Sequence, residues 1–146
     1  MDSLLTAAKA KFFVNGVIYE PACETGFTCN IDQMNFKGFL AQYLALVTRM
    51  APYTTDDINA LLQTSATAAA SHCNAGTNGT MCTMFWTVND GPATLGVGQQ
   101  MSALNVFNAN LLKFVSNSAE VVTSSSGGTS QGNPNAGNSN SDQVYT

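Results

Sequence analysis

Asp56 and Asp57 form the only adjacent pair of carboxylates in the 146-residue sequence. Two carboxylates are what glycoside hydrolysis requires, one to protonate the leaving oxygen and one to attack the sugar or activate water. The pair follows Thr54 and Thr55 directly before an apolar helical stripe, where acidic side chains cap N–H groups and oppose the positive helix end. We therefore interpret Asp56 and Asp57 as helix-start residues and predict no catalytic residue in this chain.

Lys37 lies in the segment CNIDQMNFKGFL (residues 29–40), between Phe36 and Phe39 at the start of a long predicted helix. Burial of an apolar helix face does not require a charged group. We therefore expect Phe36 and Phe39 to be buried and Lys37 to point away from them, towards a ligand or towards solvent. In the solvent alternative, Asp32 caps the helix.

Two further side chains are candidates for chemistry. His72 is the only histidine, and it falls in the last turn of a predicted helix, where a positive charge favours the helix dipole. Because no Ser or Cys in a suitable context completes a triad, we interpret it as a surface residue. Trp86, in TMFWTVND, either stacks on a sugar ring or belongs to the core.

The four cysteines fall as two close pairs, Cys23 with Cys29 and Cys73 with Cys82. Four cysteines allow three pairings, but each close pair brackets a Gly-containing, turn-rich segment, which favours the disulfides Cys23–Cys29 and Cys73–Cys82. A zinc site is the competing interpretation, although neither pair has the short C-x2-C spacing. Disulfides predict an oxidising compartment.

Asn78 begins the sequon Asn78-Gly79-Thr80, which predicts N-glycosylation within the second bracketed segment. Such tripeptides also arise by chance in chains rich in Asn and Thr. The N-terminal segment MDSLLTAAKAKFFV has no uninterrupted apolar core of a signal peptide, and the C-terminal tract lacks the hydrophobic tail of a lipid-anchor signal. We expect a secreted, cell-wall or cell-surface protein whose signal peptide and anchor signal lie outside this chain.

Composition limits the partners. Charged residues are 10% of the chain and the formal net charge is -4, which leaves no basic surface to neutralise the phosphates of a nucleic acid. The polar surface comes from Asn, Gln, Ser and Thr, which suits neutral ligands such as sugars. No segment has the apolar length of a membrane span, and no motif predicts a metal or other cofactor.

Hydrophobic periodicity predicts helices over residues 34–50, 55–73 and 96–115, with a shorter helix over 3–13. Asn15-Gly16 between two apolar runs predicts a small β-hairpin. The polar tract from residue 123 onward is predicted to be disordered, which divides the chain into a domain at 1–122 and a Ser/Gly/Asn-rich stalk at 123–146. The predicted fold class is all-α, built of helical hairpins. The apolar stripe of the 34–50 helix is Phe36, Phe39, Leu40, Tyr43, Leu44, Val47 and Met50.

Several motifs in order resemble the C-terminal part of glycoside hydrolase family 76, the α-1,6-mannanases, and in particular the fungal lipid-anchored cell-wall branch. They are D-Q-x-x-F-K, an S-A-x-A-A run with its following cysteines, W-T, and G-V-G-Q-Q-M-x-A-L. The resemblance implies about a third of an (α/α)6 barrel. The family's catalytic residues are two adjacent aspartates, and no segment of this chain matches the motif that carries them. The resemblance therefore does not extend the catalytic role to Asp56 and Asp57. The substrate-binding residues it implies are Asp32, Gln33, Lys37, Trp86, Gln99 and Gln100, with Phe36 in the same motif.

The resemblance implies the C-terminal portion of a mannan endo-1,6-α-mannosidase that acts on fungal cell-wall mannan or on the mannose of glycolipid anchors. Such a portion is expected to be inactive alone, because the catalytic aspartates are not in it. An alternative is a secreted, non-catalytic protein that binds polysaccharide or a host receptor. A third hypothesis is a partial domain that is stable only beside further helices.

Overall fold

The computed structural model describes residues 2–89 and 91–115. Its α-helices are Asp2–Phe12 (α1), Gln33–Met50 (α2), Thr55–Ser71 (α3) and Val97–Leu111 (α4), and its strands are Phe13–Val14 (β1) and Val17–Ile18 (β2). The all-α class with one small hairpin is confirmed, although α4 ends earlier than predicted and continues as a 3-10 turn, Leu112–Phe114. The predicted domain end at 122 and the stalk at 123–146 lie outside the described residues.

The hairpin forms where Asn15-Gly16 predicts it. Strands β1 and β2 are antiparallel, with Phe13 opposite Ile18. Asn15 and Gly16 have φ of 51° and 79°, the positive values that a two-residue hairpin turn requires at both central positions. The backbone N–H of Ile18 donates to Ser65 Oγ at 3.0 Å, which holds the hairpin against the middle of α3.

Helices α2 and α4 lie side by side and run in the same direction. Their contacts advance together along both helices: Ser102 Oγ donates to the carbonyl of Met34 at 2.7 Å, and Gln42 Nε2 donates to Asn105 Oδ1 at 2.8 Å. At the far ends, Arg49 donates to the carbonyl of Leu112 at 3.0 Å. Because both helices run in the same direction, the chain between them must return along the bundle through an antiparallel connection.

Helix α3 is that connection. It follows α2 after the 3-10 turn Pro52–Thr54 and runs antiparallel to α4. Near its end, Cys73 is bonded to Cys82, whose N–H donates to Gln100 Oε1. In its middle, Gln63 Oε1 accepts from Lys113 Nζ at 2.9 Å. The starts of α2 and α4 and the end of α3 therefore share one end of the bundle. We call it the loop end; it carries residues 19–32 and 72–96.

The buried face of α2 agrees only in part with the predicted stripe. Its buried residues are Lys37, Gly38, Ala41, Leu44 and Ala45, whereas Phe36 is 48% exposed and Tyr43 is 66% exposed. The stripe assigned from periodicity was right for Leu44, with Leu40 and Val47 packed against the core. It was wrong for its exposed members, Phe36, Phe39, Tyr43 and Met50. Helix α4 approaches too closely for large side chains, since a Cβ on Gly38 would lie 2.9 Å from Ser102 Cα. Only small residues fit that approach, so the aromatic residues of α2 lie outside it.

We predict that Gly38→Ala destabilises the protein by about 1–3 kcal/mol, because the added methyl meets backbone atoms and forces the two helices apart. A matched control is Gly26→Ala, whose Cβ would meet only Thr28 at 3.6 Å. Urea unfolding measures both variants. Equal denaturation midpoints for the two variants would contradict the close approach of α2 and α4.

Candidate functional site

The loop end brings together nearly all of the polar side chains that the sequence singles out. Both predicted disulfides form there, Cys23 with Cys29 and Cys73 with Cys82, so the zinc interpretation of these cysteines was wrong. The first closes the segment before α2, and the second ties the segment after α3 back to the end of that helix. Each fixes a loop whose residues surround the start of α2.

Lys37 is at the centre of this end and is 2% exposed. Its ammonium donates to Glu24 Oε1 at 3.0 Å and to the carbonyl of Met84. It also lies over the ring of Trp86, 3.9 Å from the centroid, the geometry of a cation–π interaction. A single side chain of α2 therefore contacts both loops of the loop end.

Glu24 is the partner that the sequence did not reveal. It lies in the short 3-10 turn Glu24–Gly26, inside the loop closed by Cys23–Cys29. Its Oε1 accepts from the N–H of Glu20 at 2.7 Å as well as from Lys37, while its Oε2 is buried without a hydrogen-bond partner among the described residues. No spacing rule relates Glu24 to a lysine 13 positions later, because their meeting depends on the path of the loop.

The alternative in which Lys37 is solvated was wrong, since its side chain is buried. Burial lowers the pKa of Lys37 to about 8, with attraction to Glu24 opposing the shift. Burial also raises the pKa of Glu24, and attraction to Lys37 opposes that shift. In both groups desolvation outweighs the ion pair, as is common for buried salt bridges.

Trp86 is also buried, 3% exposed, and its indole N–H donates to the carbonyl of Thr83 at 2.8 Å. Of the two interpretations of this residue, the structure supports the core position. Because one ring face receives the Lys37 ammonium, Trp86 fixes the 83–86 segment over the start of α2.

Asp32 and Gln33 stand where α2 begins. Asp32 makes no side-chain cap hydrogen bond, so the alternative in which it caps the helix was wrong. Gln33 forms a reciprocal pair with Asn30 instead: the N–H of Gln33 donates to Asn30 Oδ1 at 3.0 Å, and the N–H of Asn30 donates to Gln33 Oε1 at 2.9 Å. This is a capping box. It leaves Asp32 exposed at the loop end.

Gln99 and Gln100 lie in the first turn of α4 and contact Met34 and Cys82, respectively. Gln100 pairs with both backbone groups of Cys82, accepting its N–H at 3.1 Å and donating to its carbonyl at 2.7 Å. Gln99 is buried and its Nε2 lies 3.0 Å from Met34 Sδ. Their role as glycan contacts stays a prediction, as it does for Asp32, Gln33, Lys37 and Trp86. In the described structure both amide atoms of Gln100 bind the backbone of Cys82, whereas Gln99 Oε1 is buried without a hydrogen-bond partner among the described residues.

Asp56 and Asp57 lie in the first turn of α3 and are exposed. That turn is at the opposite end of the helices from the loop end, and Asp57 pairs with Lys9 of α1 at 3.1 Å. His72 follows the last residue of α3, and its two ring nitrogens lie 2.8 Å and 3.1 Å from the carbonyls of Ala68 and Val88. Asp56 and Asp57 are therefore far from the Lys37 cluster, whereas His72 lies at the loop end, where its ring contacts backbone carbonyls.

Within residues 2–89 and 91–115, no group of three His, Cys, Asp or Glu is arranged to hold a metal ion. None of the helices in this part of the chain has the length and apolar character needed to cross a membrane.

The sequence matches the family model described as Glycosyl hydrolase family 76 over residues 1–125. The chain belongs to this family. It is 42% identical over 137 residues to Mannan endo-1,6-alpha-mannosidase DFG5 of Saccharomyces cerevisiae, covering 94% of this chain and 29% of that protein. It is 39% identical over 131 residues to Mannan endo-1,6-alpha-mannosidase DCW1 of Candida glabrata, covering 89% of this chain and 28% of that protein.

A solved structure matches as well, the crystal structure of Dfg5 from Chaetomium thermophilum in complex with glucosamine. The TM-score is 0.73 at 32% sequence identity, and the match covers 90% of this chain and 35% of that chain. This chain of family 76 thus spans about a third of the length of the relatives it matches. The likeness agrees with the expectation that its helices form part of a helical barrel.

We predict that Lys37→Met destabilises the protein by about 3–5 kcal/mol, because it leaves the Glu24 carboxylate buried without its cation. The double variant Lys37→Met/Glu24→Gln should recover most of that loss, since it removes both charges. The exposed pair Lys9–Asp57 is the control, and Lys9→Met should change the free energy of unfolding by less than about 1 kcal/mol. A double variant as unstable as Lys37→Met would contradict the assignment.

We also predict that the difference in the free energy of unfolding between the wild type and Lys37→Met depends on pH. Since the pKa of Lys37 falls from 10.5 to about 8 in the folded protein, the unfolded chain holds more protons between these values. The contribution of Lys37 to the free energy of unfolding therefore rises with pH across this window, by at most about 1.4 kcal/mol per pH unit. Denaturant unfolding from pH 7.5 to 10.5 should show this rise in the wild type relative to Lys37→Met. Parallel curves would refute it.

Proposed function

We propose that this chain is the C-terminal part of a fungal mannan endo-1,6-α-mannosidase that acts on cell-wall mannan or on the mannose of glycolipid anchors. The observation that carries the proposal is the 42% identity, across 94% of this chain, to a protein named as such an enzyme. The presence of glucosamine in the related Chaetomium structure supports a glycan as the ligand.

The loop end is the proposed glycan-facing surface. It gathers the starts of the two parallel helices and the polar residues of the family motifs. Asp32 is exposed there, because Asn30 and Gln33 cap α2 between them. A carboxylate in this position can accept hydrogen bonds from sugar hydroxyls. Lys37, Trp86, Gln99 and Gln100 act indirectly, by holding the loops in which such contacts form.

The carboxylates that cleave the glycosidic bond are proposed to come from the longer enzyme, outside this chain. One would protonate the leaving oxygen and the other would attack the sugar or activate water. Asp56 and Asp57 are unsuited to this work, since they lie at the end of the helices opposite Asp32 and Asp57 pairs with Lys9. The chain alone is accordingly proposed to be inactive.

A secreted or cell-wall location is part of the proposal, with a lipid anchor attached through the stalk. The two disulfides support an oxidising compartment. Asn78 is exposed in the loop that Cys73–Cys82 closes, and this accessibility supports N-glycosylation there.

A second candidate function is non-catalytic binding of polysaccharide or a host receptor. It is favoured by the burial of Glu24, the carboxylate nearest the centre of the loop end, because a buried ion-paired acid does not reach a glycosidic oxygen. Isothermal titration of the chain with an α-1,6-mannan oligosaccharide tests it. This candidate would be favoured if this chain gives heat of binding and the longer enzyme does not hydrolyse the oligosaccharide.

The enzyme proposal predicts a selective effect of Asp32. In a chimera, this chain would replace the matching segment of the Saccharomyces relative. Asp32→Ala should then lower kcat/KM on the oligosaccharide by about 10- to 100-fold, the loss of one hydrogen bond to a charged group of roughly 1.5–3 kcal/mol. The melting temperature should be unchanged.

Asp56→Ala is the matched control, since both aspartates are exposed and lie at opposite ends of the bundle. It should retain the activity of the chimera. Full activity of Asp32→Ala, or loss of activity in Asp56→Ala alone, would reject the assignment of the loop end as the glycan-facing surface.

A further inference from the structure

A cavity of about 550 Å³ lies at the loop end, between the end of α3 and residues 83–93. We call it the α3 cavity. Its volume is within the range of about 300–1,000 Å³ that is typical of small-molecule sites. None of the motif residues predicted to bind substrate is among its described lining residues. The polar side chains that line it belong to Ser71, His72, Asn74, Thr83 and Asn89.

The walls of the α3 cavity are joined by three separate contacts. The ring of His72 bridges them, since its nitrogens lie 2.8 Å from the carbonyl of Ala68 and 3.1 Å from that of Val88. The backbone N–H of Thr83 donates to the carbonyl of His72 at 2.9 Å, and the disulfide Cys73–Cys82 joins the same two segments. A cavity fixed in this way is preformed, so a ligand does not have to order its walls on binding.

Three of the polar lining side chains are available to a ligand. Asn74, Thr83 and Asn89 make no side-chain hydrogen bond with any other described residue. Asn74 and Asn89 are exposed, and Thr83 is half-buried. A side-chain amide and a hydroxyl group each donate and accept hydrogen bonds. This combination matches a ligand whose own groups do both, as the hydroxyl groups of a sugar do.

The rest of the lining favours an uncharged ligand. His72 is the only ionisable side chain among the described lining residues, and both of its ring nitrogens are within hydrogen-bond distance of backbone carbonyls. Phe85 and Val88 add apolar surface, Phe85 at 3% and Val88 at 41% exposure. A pyranose ring combines hydroxyl groups at its edge with apolar C–H faces, so both kinds of lining can contact it.

We propose that the α3 cavity binds one neutral pyranose residue of a glycan, at a site separate from the surface around Asp32. The amides of Asn74 and Asn89 and the hydroxyl of Thr83 bind the hydroxyl groups of the sugar. The pyranose class follows from the lining, whereas the choice of mannose rests on the proposed function. A mannan that occupies both sites gains affinity, because binding at one raises the effective concentration at the other.

Isothermal titration of the 146-residue chain with α-1,6-mannotriose tests the site. The double variant Asn74→Ala/Asn89→Ala should weaken binding by about 5- to 100-fold, because two hydrogen bonds between neutral groups are lost. Its melting temperature should match that of the wild type, since neither amide has a hydrogen-bond partner among the described residues. Asn108→Ala is the matched control, an exposed asparagine of α4 that is not a lining residue, and it should leave the affinity unchanged.

Isomaltotriose, the α-1,6-linked trisaccharide of glucose, separates this proposal from the proposed function. If it binds in place of mannotriose and the double variant loses that binding, the α3 cavity is supported and mannan is rejected as its ligand. An inactive chimera would count against the proposed function alone, because the titration does not measure cleavage.

Three results would overturn the proposal. The first is no heat with either trisaccharide at millimolar concentration. The second is an affinity of the double variant equal to that of Asn108→Ala. The third is loss of binding in Asp32→Ala but not in the double variant, which would assign the sugar to the surface around Asp32.

Discussion

The organisation of the loop end depends on one buried charge, the ammonium of Lys37. Taking it out of water is costly, and the cost is offset only where several groups meet it together. Glu24, the carbonyl of Met84 and the ring of Trp86 come from two different loops. To satisfy the lysine, both loops must fold back over the start of α2. The two disulfides restrict the same loops, so covalent and electrostatic restraints act on one surface.

A second constraint is the close approach of α2 and α4. Gly38 and Ala41 lie on the buried face of α2, and the helices are joined by hydrogen bonds such as Gln42 to Asn105. Close packing of small residues leaves no room for aromatic rings between the helices. The rings of α2 consequently lie on another side of the helix, where Phe36, Phe39 and Tyr43 are 48%, 40% and 66% exposed.

The residues of one family motif have different structural roles at the loop end. In D-Q-x-x-F-K, Gln33 completes a capping box and Lys37 braces two loops, while Asp32 is left exposed. Gln100 similarly fixes the backbone of Cys82. Most of these motif residues therefore shape the loop end, while Asp32 is exposed to solvent.

Local sequence determined the elements of this protein. Periodicity located the helices to within a few residues, Asn15-Gly16 predicted the hairpin, and cysteine spacing favoured the two disulfides that form. Each of these features depends on neighbours along the chain. The sequence did not determine which face of α2 is buried, since Phe36 and Lys37 are adjacent and burial was decided by how closely α4 approaches. It also did not pair Lys37 with Glu24 or Trp86. Those contacts join separate loops, and only the tertiary structure brings them within reach of one ammonium group.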